Sequence, residues 1–336
     1  MPAPLLETAN LLAAAMTPEN VLAKELASAL GRPAAVKSVQ RRRMDASTHG
    51  IERWQVTLDD GEPVRLLFKD LQPDIAREPD VLPERNPREA LIYQRLLAGR
   101  RFGAPAVYAS VYDEARQRYW LFLEDLGADT LEHGSMEAWL AAARLLAEVA
   151  GVYANRDAEL RELRCLGEHD ADFYRRHVAT ARLALSCAGR EALLARFDAL
   201  AQPFAGIANW LVRQPRTLVH GDVFPSNVIL QAGPRVRLID WEWAAIGTAG
   251  WDIARLLCGW ETHRSRLLAA YSDQFERHSG GPLDATALAN TVACCGAVHA
   301  VRFVSLAADE GAAGVPEALD AVERALREAS EAIGDV

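Results

Sequence analysis

The densest run of chemically capable side chains is Leu218-Val219-His220-Gly221-Asp222-Val223-Phe224-Pro225-Ser226-Asn227-Val228-Ile229-Leu230, and Leu238-Ile239-Asp240-Trp241-Glu242 follows shortly after. Asp222, Asn227 and Asp240 stand on connections next to two short apolar runs, Val228 to Leu230 and Val236 to Ile239. Such strands hold a side chain rigidly and leave it reachable. A carboxylate and an amide oxygen are the ligands a hard cation such as Mg²⁺ prefers, with phosphate oxygens completing the shell. A further carboxylate close by accepts a proton from an attacking hydroxyl. A lone His-Gly-Asp also suits a plain turn, and metal hydrolases use His–Asp pairs. A hydrolase site needs further histidines, and the next ones, His177 and His263, match no ligand spacing.

The spacing of Asp222, Asn227 five residues on, and Asp240 on the next loop resembles the protein-kinase-like catalytic core. Gly221 stands where protein kinases usually carry Arg. His-Gly-Asp-x-x-x-x-Asn followed by Ile-Asp-Trp-Glu is similar to the aminoglycoside phosphotransferase and choline kinase family of small-molecule kinases. The resemblance runs from about Val36 through the C-terminal helices. It implies Asp222 as the catalytic base, Asn227 and Asp240 as Mg²⁺ ligands, and His220 as a shaper of the loop. It also implies Asp252, in Gly250-Trp251-Asp252-Ile253-Ala254, as a buried acid that bonds the backbone of the catalytic loop.

The same resemblance asks the upstream part for a phosphate-binding Lys and a Glu that steers it. Lys69 ends the apolar run Leu66-Leu67-Phe68, and Glu89 lies near the start of the next helix. Read alone, a strand-end Lys and a first-turn Glu are ordinary solvated residues. No GxGxxG joins the first two strands; the turn there carries Ser47 and Thr48, which either donate to phosphate or form a polar turn. Arg41 to Arg43 just upstream read best as an exposed strand edge. Leu121-Phe122-Leu123-Glu124-Asp125-Leu126 resembles the family's hinge, where the backbone of Glu124 and Leu126 would hold the adenine edge.

Acceptor hints are few. If the segment after Asp240 is extended, Asp240 and Glu242 share one face, and Glu242 would assist a second metal or bind a substrate cation. Trp241, Trp243, Trp251 and Trp260 are close in sequence. They would suit a choline-like cation through cation–π attraction of ~0.5–2 kcal/mol, although core packing explains them more simply.

The elements around these residues divide in two. Thr17-Pro18-Glu19 signals a helix start and Gly31 its stop. Strands follow over Ala35 to Arg42, Ile51 to Leu58 and Pro63 to Lys69, then a helix over Arg88 to Leu97 and strands over Ala106 to Tyr112 and Tyr119 to Leu123. Periodicity lapses over Glu124 to Gly134. Helical patterns then run over Met136 to Ala154, Ala171 to Ser186, Arg190 to Val212 and, as a buried helix, Ala285 to Val301, interrupted by a hairpin within Thr217 to Trp243.

The chain has 336 residues, of which 37 are Lys or Arg and 46 Asp or Glu, a net charge of −9. That balance argues against general nucleic-acid binding. It would also suit a polycationic sugar. The five scattered cysteines include no CxxC and fit reduced thiols in a cytosol. Nothing in the N-terminal stretch reads as a targeting signal.

The expectation is therefore an α+β, two-lobed protein-kinase-like fold. A small N-terminal lobe with an antiparallel sheet (1–124) would bind nucleotide, and a larger, mainly helical C-terminal lobe (125–336) would carry catalysis and the acceptor. The implied function is Mg²⁺-dependent transfer of the γ-phosphoryl group of ATP, or GTP, to a hydroxyl of an aminoglycoside-like compound, an amino alcohol such as choline, or a sugar. Its partners would be these small molecules, with no nucleic acid and no membrane, in the cytoplasm. A non-catalytic nucleotide-binding module and a protein kinase stay open as alternatives. The first should lack one of Lys69, Asp222, Asn227 and Asp240, and all are present. The second lacks support in Gly221 and in the absence of Asp-Phe-Gly and Ala-Pro-Glu segments.

Overall fold

The computed structural model describes residues 17–44, 50–71, 85–99, 101–258, 261–309 and 313–334. Helix α1 (Pro18–Leu30) begins as its cap chemistry demands: Thr17 Oγ1 accepts the Asn20 N–H at 3.3 Å and proline fills the first turn. It stops where Gly31 takes the left-handed conformation, at φ +65°. Strands β1 (Val36–Arg43), β2 (Gly50–Leu58), β3 (Pro63–Asp70), β4 (Val107–Asp113) and β5 (Arg118–Glu124) form one antiparallel sheet in the order β1-β2-β3-β5-β4. Alternation in β2 sends Trp54, Val56 and Leu58 to one face, where Phe68, Phe122 and the α1 residues Leu22 and Leu26 join them. The Trp54 ring lies 5.1 Å from that of Phe68 and 5.5 Å from that of Phe122. Arg41 to Arg43 are exposed on the edge strand, with Arg41 paired to Glu19 and stacked on Trp54. Helix α2 (Arg85–Arg95) follows β3 and buries Ala90, Ile92 and Tyr93.

The described residues fall into two compact units: those of Met1–Ala128 together with Arg237–Glu242, and those of Asp129–Val236 together with Trp243–Val336. The first unit is thus discontinuous in sequence. Arg237 ties its late segment in by donating to the Gly103 and Ala104 carbonyls and to Glu124 Oε2. Trp241 is fully buried there beside Phe102.

The second unit is mainly helical: α3 (Met136–Val152), α4 (Asp157–Glu162), α5 (Ala171–Cys187), α6 (Glu191–Leu200), α7 (Phe204–Leu211), α8 (Gly250–Leu257), α9 (Arg264–Ser279), α10 (Ala285–Asp309) and α11 (Val315–Ile333). The single helix expected over Arg190 to Val212 is two, α6 and α7, separated by a turn that ends at Pro203, which lacks an N–H to donate. By length and composition, Ala285–Ala308 of α10 is apolar enough to cross a membrane, yet 61% of its most apolar window is buried, and it packs on α5, α8 and α11.

A small sheet sits among the helices. Its strands are β6 (Gly167–Glu168), β7 (Arg216–Val219) and, between them, β10 (Ala245–Thr248). The sequence reading did not anticipate this sheet. Strands β8 (Val228–Leu230) and β9 (Val236–Leu238) follow the hairpin expectation, with the Gln231 N–H on the Arg235 carbonyl at 2.9 Å closing the turn.

Trp54 anchors the sheet face, so Trp54→Ala should destabilise the chain by about 3–5 kcal/mol. Urea denaturation followed by circular dichroism measures this, and a loss below 1 kcal/mol would contradict the packing described.

Candidate active site

In the second unit the chain leaves β7 directly into His220-Gly221-Asp222, and a buried carboxylate holds this turn. Asp252, in the first turn of α8, accepts the His220 N–H at 2.7 Å and the Gly221 N–H at 3.0 Å. The Trp251 indole N–H donates to the Gly221 carbonyl at 3.1 Å. Gly221 has φ +90°, and a Cβ there would lie 2.2 Å from the Trp243 carbonyl oxygen, so only glycine fits. His220 is fully buried, and its Nδ1 lies 3.4 Å from the Asp222 N–H. The loop closes on itself when Asn227 Nδ2 donates to the Asp222 carbonyl at 3.0 Å and approaches its carboxylate Oδ2 at 3.4 Å. The other carboxylate oxygen of Asp222 accepts from Arg302 of α10 at 2.9 Å. Burial pushes the Asp252 carboxyl up to about 7, against the pull of its two N–H donors.

In the first unit Lys69 is buried at the end of β3. Its ammonium lies 3.0 and 3.2 Å from the two carboxylate oxygens of Glu89 on α2, and 2.8 Å from Asp240 Oδ1. Glu89 is itself fully buried. Burial pulls the Lys69 ammonium down, but the Asp240 and Glu89 carboxylates outweigh it and hold it well above its usual value. Asp240 has φ +66°, a left-handed conformation that Asp tolerates better than most residues. Its side chain stays one-third exposed, at 33%.

A model of the phosphotransferase enzyme (APH) family matches residues 46–288, most of the chain. The chain belongs to this phosphotransferase family. Solved structures of low identity share its fold. A macrolide 2′-phosphotransferase from Brachybacterium faecium is 16% identical at a TM-score of 0.52, with 90% of this chain and 97% of that one covered. For an ethanolamine kinase from Plasmodium vivax the values are 14%, 0.56, 86% and 82%. For the choline kinase LicA from Streptococcus pneumoniae they are 17%, 0.52, 93% and 99%. The curated proteins contain no match.

Within this phosphotransferase the expected site residues form two groups. The first unit joins Lys69, Glu89 and Asp240; the second joins His220, Asp222, Asn227 and Asp252. Glu242 is not on an extended segment. Trp241–Trp243 is a single helical turn, because the chain reverses at Asp240, so the proposed sharing of faces does not hold. Glu242 is buried, and Arg88 grips its backbone carbonyl at 2.9 Å. Trp241 and Trp251 are core residues, at 0% and 1% exposure, and Trp260 lies outside the described residues. Ser47 and Thr48 also lie outside the described residues.

At the hinge, the Glu124 carboxylate accepts the Ala106 N–H at 3.0 Å. Leu126 is half-buried in the bend that Asp125 stabilises by accepting the Gly127 N–H. Arg302 was not foreseen. It lies eighty residues beyond Asp222 in an apolar helical run, with no local pattern to mark it.

Among the described residues, no three His, Cys, Asp or Glu side chains are grouped to hold a metal ion alone. The Asp240 carboxylate in the first unit and the Asn227 amide oxygen in the second are each donors of the kind a hard cation such as Mg²⁺ takes.

Asp252→Asn leaves a single side-chain oxygen for two N–H groups and should cost about 1–3 kcal/mol. The native Asp252 binds its proton more tightly than the unfolded chain does. This carboxyl therefore makes stability fall as pH rises from about 4 toward about 7, and the Asn variant should flatten part of that slope. Urea titrations at pH 5 and pH 8 decide it; equal slopes in both proteins would refute the assignment.

Proposed function

We propose that this chain transfers the γ-phosphoryl group of a nucleoside triphosphate, ATP or GTP, to a hydroxyl of a small molecule, with Mg²⁺ as cofactor. The observation that carries this reading is the buried Lys69, held between Glu89 and Asp240 at 2.8–3.2 Å. A core does not need a charged trio, whereas a site that receives polyphosphate needs a fixed cation with an orienting acid. Family membership supports the reading. So does nucleotide binding in proteins of this fold, such as a GDP complex of aminoglycoside 2′-phosphotransferase-IIIa.

In this mechanism Glu89 aims the Lys69 ammonium at the nucleotide phosphates. Asp240, through its carboxylate, and Asn227, through its amide oxygen, would hold Mg²⁺. Bound Mg²⁺ would offset phosphate charge. Asp222 accepts the proton of the acceptor hydroxyl as its oxygen bonds to the γ-phosphorus and the bond to the bridging oxygen breaks, releasing nucleoside diphosphate. Asp252 and His220 fix the loop so that Asp222 need not reorganise. The Glu124–Leu126 backbone would receive the base edge. Glu242 would support the metal side of the site, and Ser47 and Thr48 would donate to phosphate.

The acceptor classes in view are aminoglycoside-like compounds, amino alcohols such as choline, and sugars. A metabolite suits the chain better than a protein substrate, because the turn Trp241–Trp243 and strand β10 occupy most of the stretch before Trp251 and leave no long activation segment. The five cysteines, none in a disulfide, fit a cytoplasmic setting.

Nucleoside diphosphate release tests this. Asp222→Ala should lower kcat by about 10²–10⁴-fold while nucleotide still binds. Turnover at the wild-type level in that variant would refute Asp222 as the base.

A further inference from the structure

A cavity of about 950 Å³ opens in the second unit beside the loop that carries Asp222. Phe224 and Pro225 of that loop form one wall, and α8, α10 and α11 supply the others. Small side chains make the room: a Cβ on Gly296 would meet nothing within 4 Å. Phe303 and Leu306, 38% and 40% exposed, are two of the few exposed large apolar side chains among the described residues, and both face this cavity.

The charges on its walls run against those of the whole protein. The chain carries a net −9, yet among the described residues the charged lining consists of Arg255, Arg264 and Arg324 against Glu328. Arg264 and Glu328 neutralise each other at 2.8 Å. Arg255 is only 6% exposed, and its guanidinium carbon lies 3.6 Å from the Phe224 ring centre and 4.7 Å from that of Phe303. Among the described residues Arg255 has no carboxylate within ion-pair distance; the Cys258 thiol is a weak partner, and the Asp222 carboxylate, already paired with Arg302, offsets its charge only from further away. A largely buried guanidinium favours an anion at hand, and a planar oxyanion satisfies its fork with two charge-assisted bonds. The aromatic rings hold it in place for such a ligand. An aminoglycoside or a choline-like cation would meet Arg255 and Arg324 here, neither held in an ion pair among the described residues.

We infer that the phosphoryl acceptor is a hydroxy compound that also bears an oxyanion, a carboxylate or a phosphate, which Arg255 grips with Arg324 while Phe303 and Leu306 cover the apolar body and the hydroxyl faces Asp222. This inference rests on the small-molecule kinase reading and narrows it. Arg255 is a specificity residue: it binds the end of the acceptor that does not react.

The test presents full-length protein and Mg-nucleotide with four arms: hydroxy and sugar acids, sugar phosphates, neutral sugars, and amino alcohols with aminoglycosides. Binding is read by titration calorimetry and product by phosphorus NMR. Binding and phosphorylated product should appear in one of the two anionic arms, which identifies the oxyanion. Arg255→Met should then raise the acceptor KM by about 10–100-fold, as expected for a lost charge-assisted pair, with a smaller change in kcat, and Arg255→Lys should recover part of it. Should Arg255→Met fail to fold, Gly296→Leu, which fills the cavity without touching a charge, and Arg324→Gln should each raise the same KM.

Product confined to the neutral or cationic arms overturns the inference and leaves the kinase reading standing. Anionic compounds that neither bind nor react also overturn it. Failure to bind any nucleotide would remove the kinase reading itself, and this inference with it.

Discussion

One buried carboxylate governs the geometry of the loop that carries Asp222. Asp252 receives the consecutive N–H groups of His220 and Gly221, so the backbone before Asp222 cannot swing without leaving a desolvated charge unmatched. The glycine is forced by the same arrangement: the Trp243 carbonyl approaches so closely that no side chain fits, and φ is positive there. Strand β10 fastens Trp243 in turn, since Ala245 pairs with Val219, the residue before His220. Loop, strand and helix start therefore form one rigid frame, and the chemistry assigned to Asp222 inherits its precision.

Charge is treated differently at the two clusters. Around Lys69, two carboxylates face one ammonium, the buried Glu89 and the one-third exposed Asp240, and together they hold the lysine firmly protonated. A metal with phosphate oxygens is the natural completion of such a cluster. Around Asp222 the balance is different, because Arg302 pairs with it directly and Arg255 adds a second positive charge at longer range. The two groups thus differ in the charge they present, and under the proposed function that difference suits a metal-bound polyphosphate for the Lys69 group and an oxyanion-bearing acceptor for the Asp222 group.

Much of this was readable from residue order. The cap and stop of α1 and the five strands of the sheet rest on local pattern. The roles expected of Asp222 and Asn227 rest on their spacing together with the family resemblance. The Lys69–Glu89 pairing rests on the resemblance alone, since read by themselves a strand-end Lys and a first-turn Glu are ordinary solvated residues. The misses share a cause. Strand β10 is a four-residue stretch, Ala245–Thr248, without alternation, and it becomes a strand only because β7 and β6 flank it. Arg302 acquires meaning only through a contact eighty residues away. Trp241–Trp243 has the alternation of a strand but is a helical turn, because a left-handed Asp240 reverses the chain just before it. Pro203 was the one local signal passed over, and it divides α6 from α7.

The interrupted course of the first unit bears on how the protein must be made. Lys69 leaves the ribosome long before Asp240, which is 171 residues further on. Until then the nascent sheet can offer its ammonium only one of the two carboxylates it finally holds, and the groove between Gly103 and Glu124 has no Arg237 to fill it. A fragment cut near residue 128 would carry the same deficit permanently, so the first unit is completed from within the stretch of sequence that forms the second.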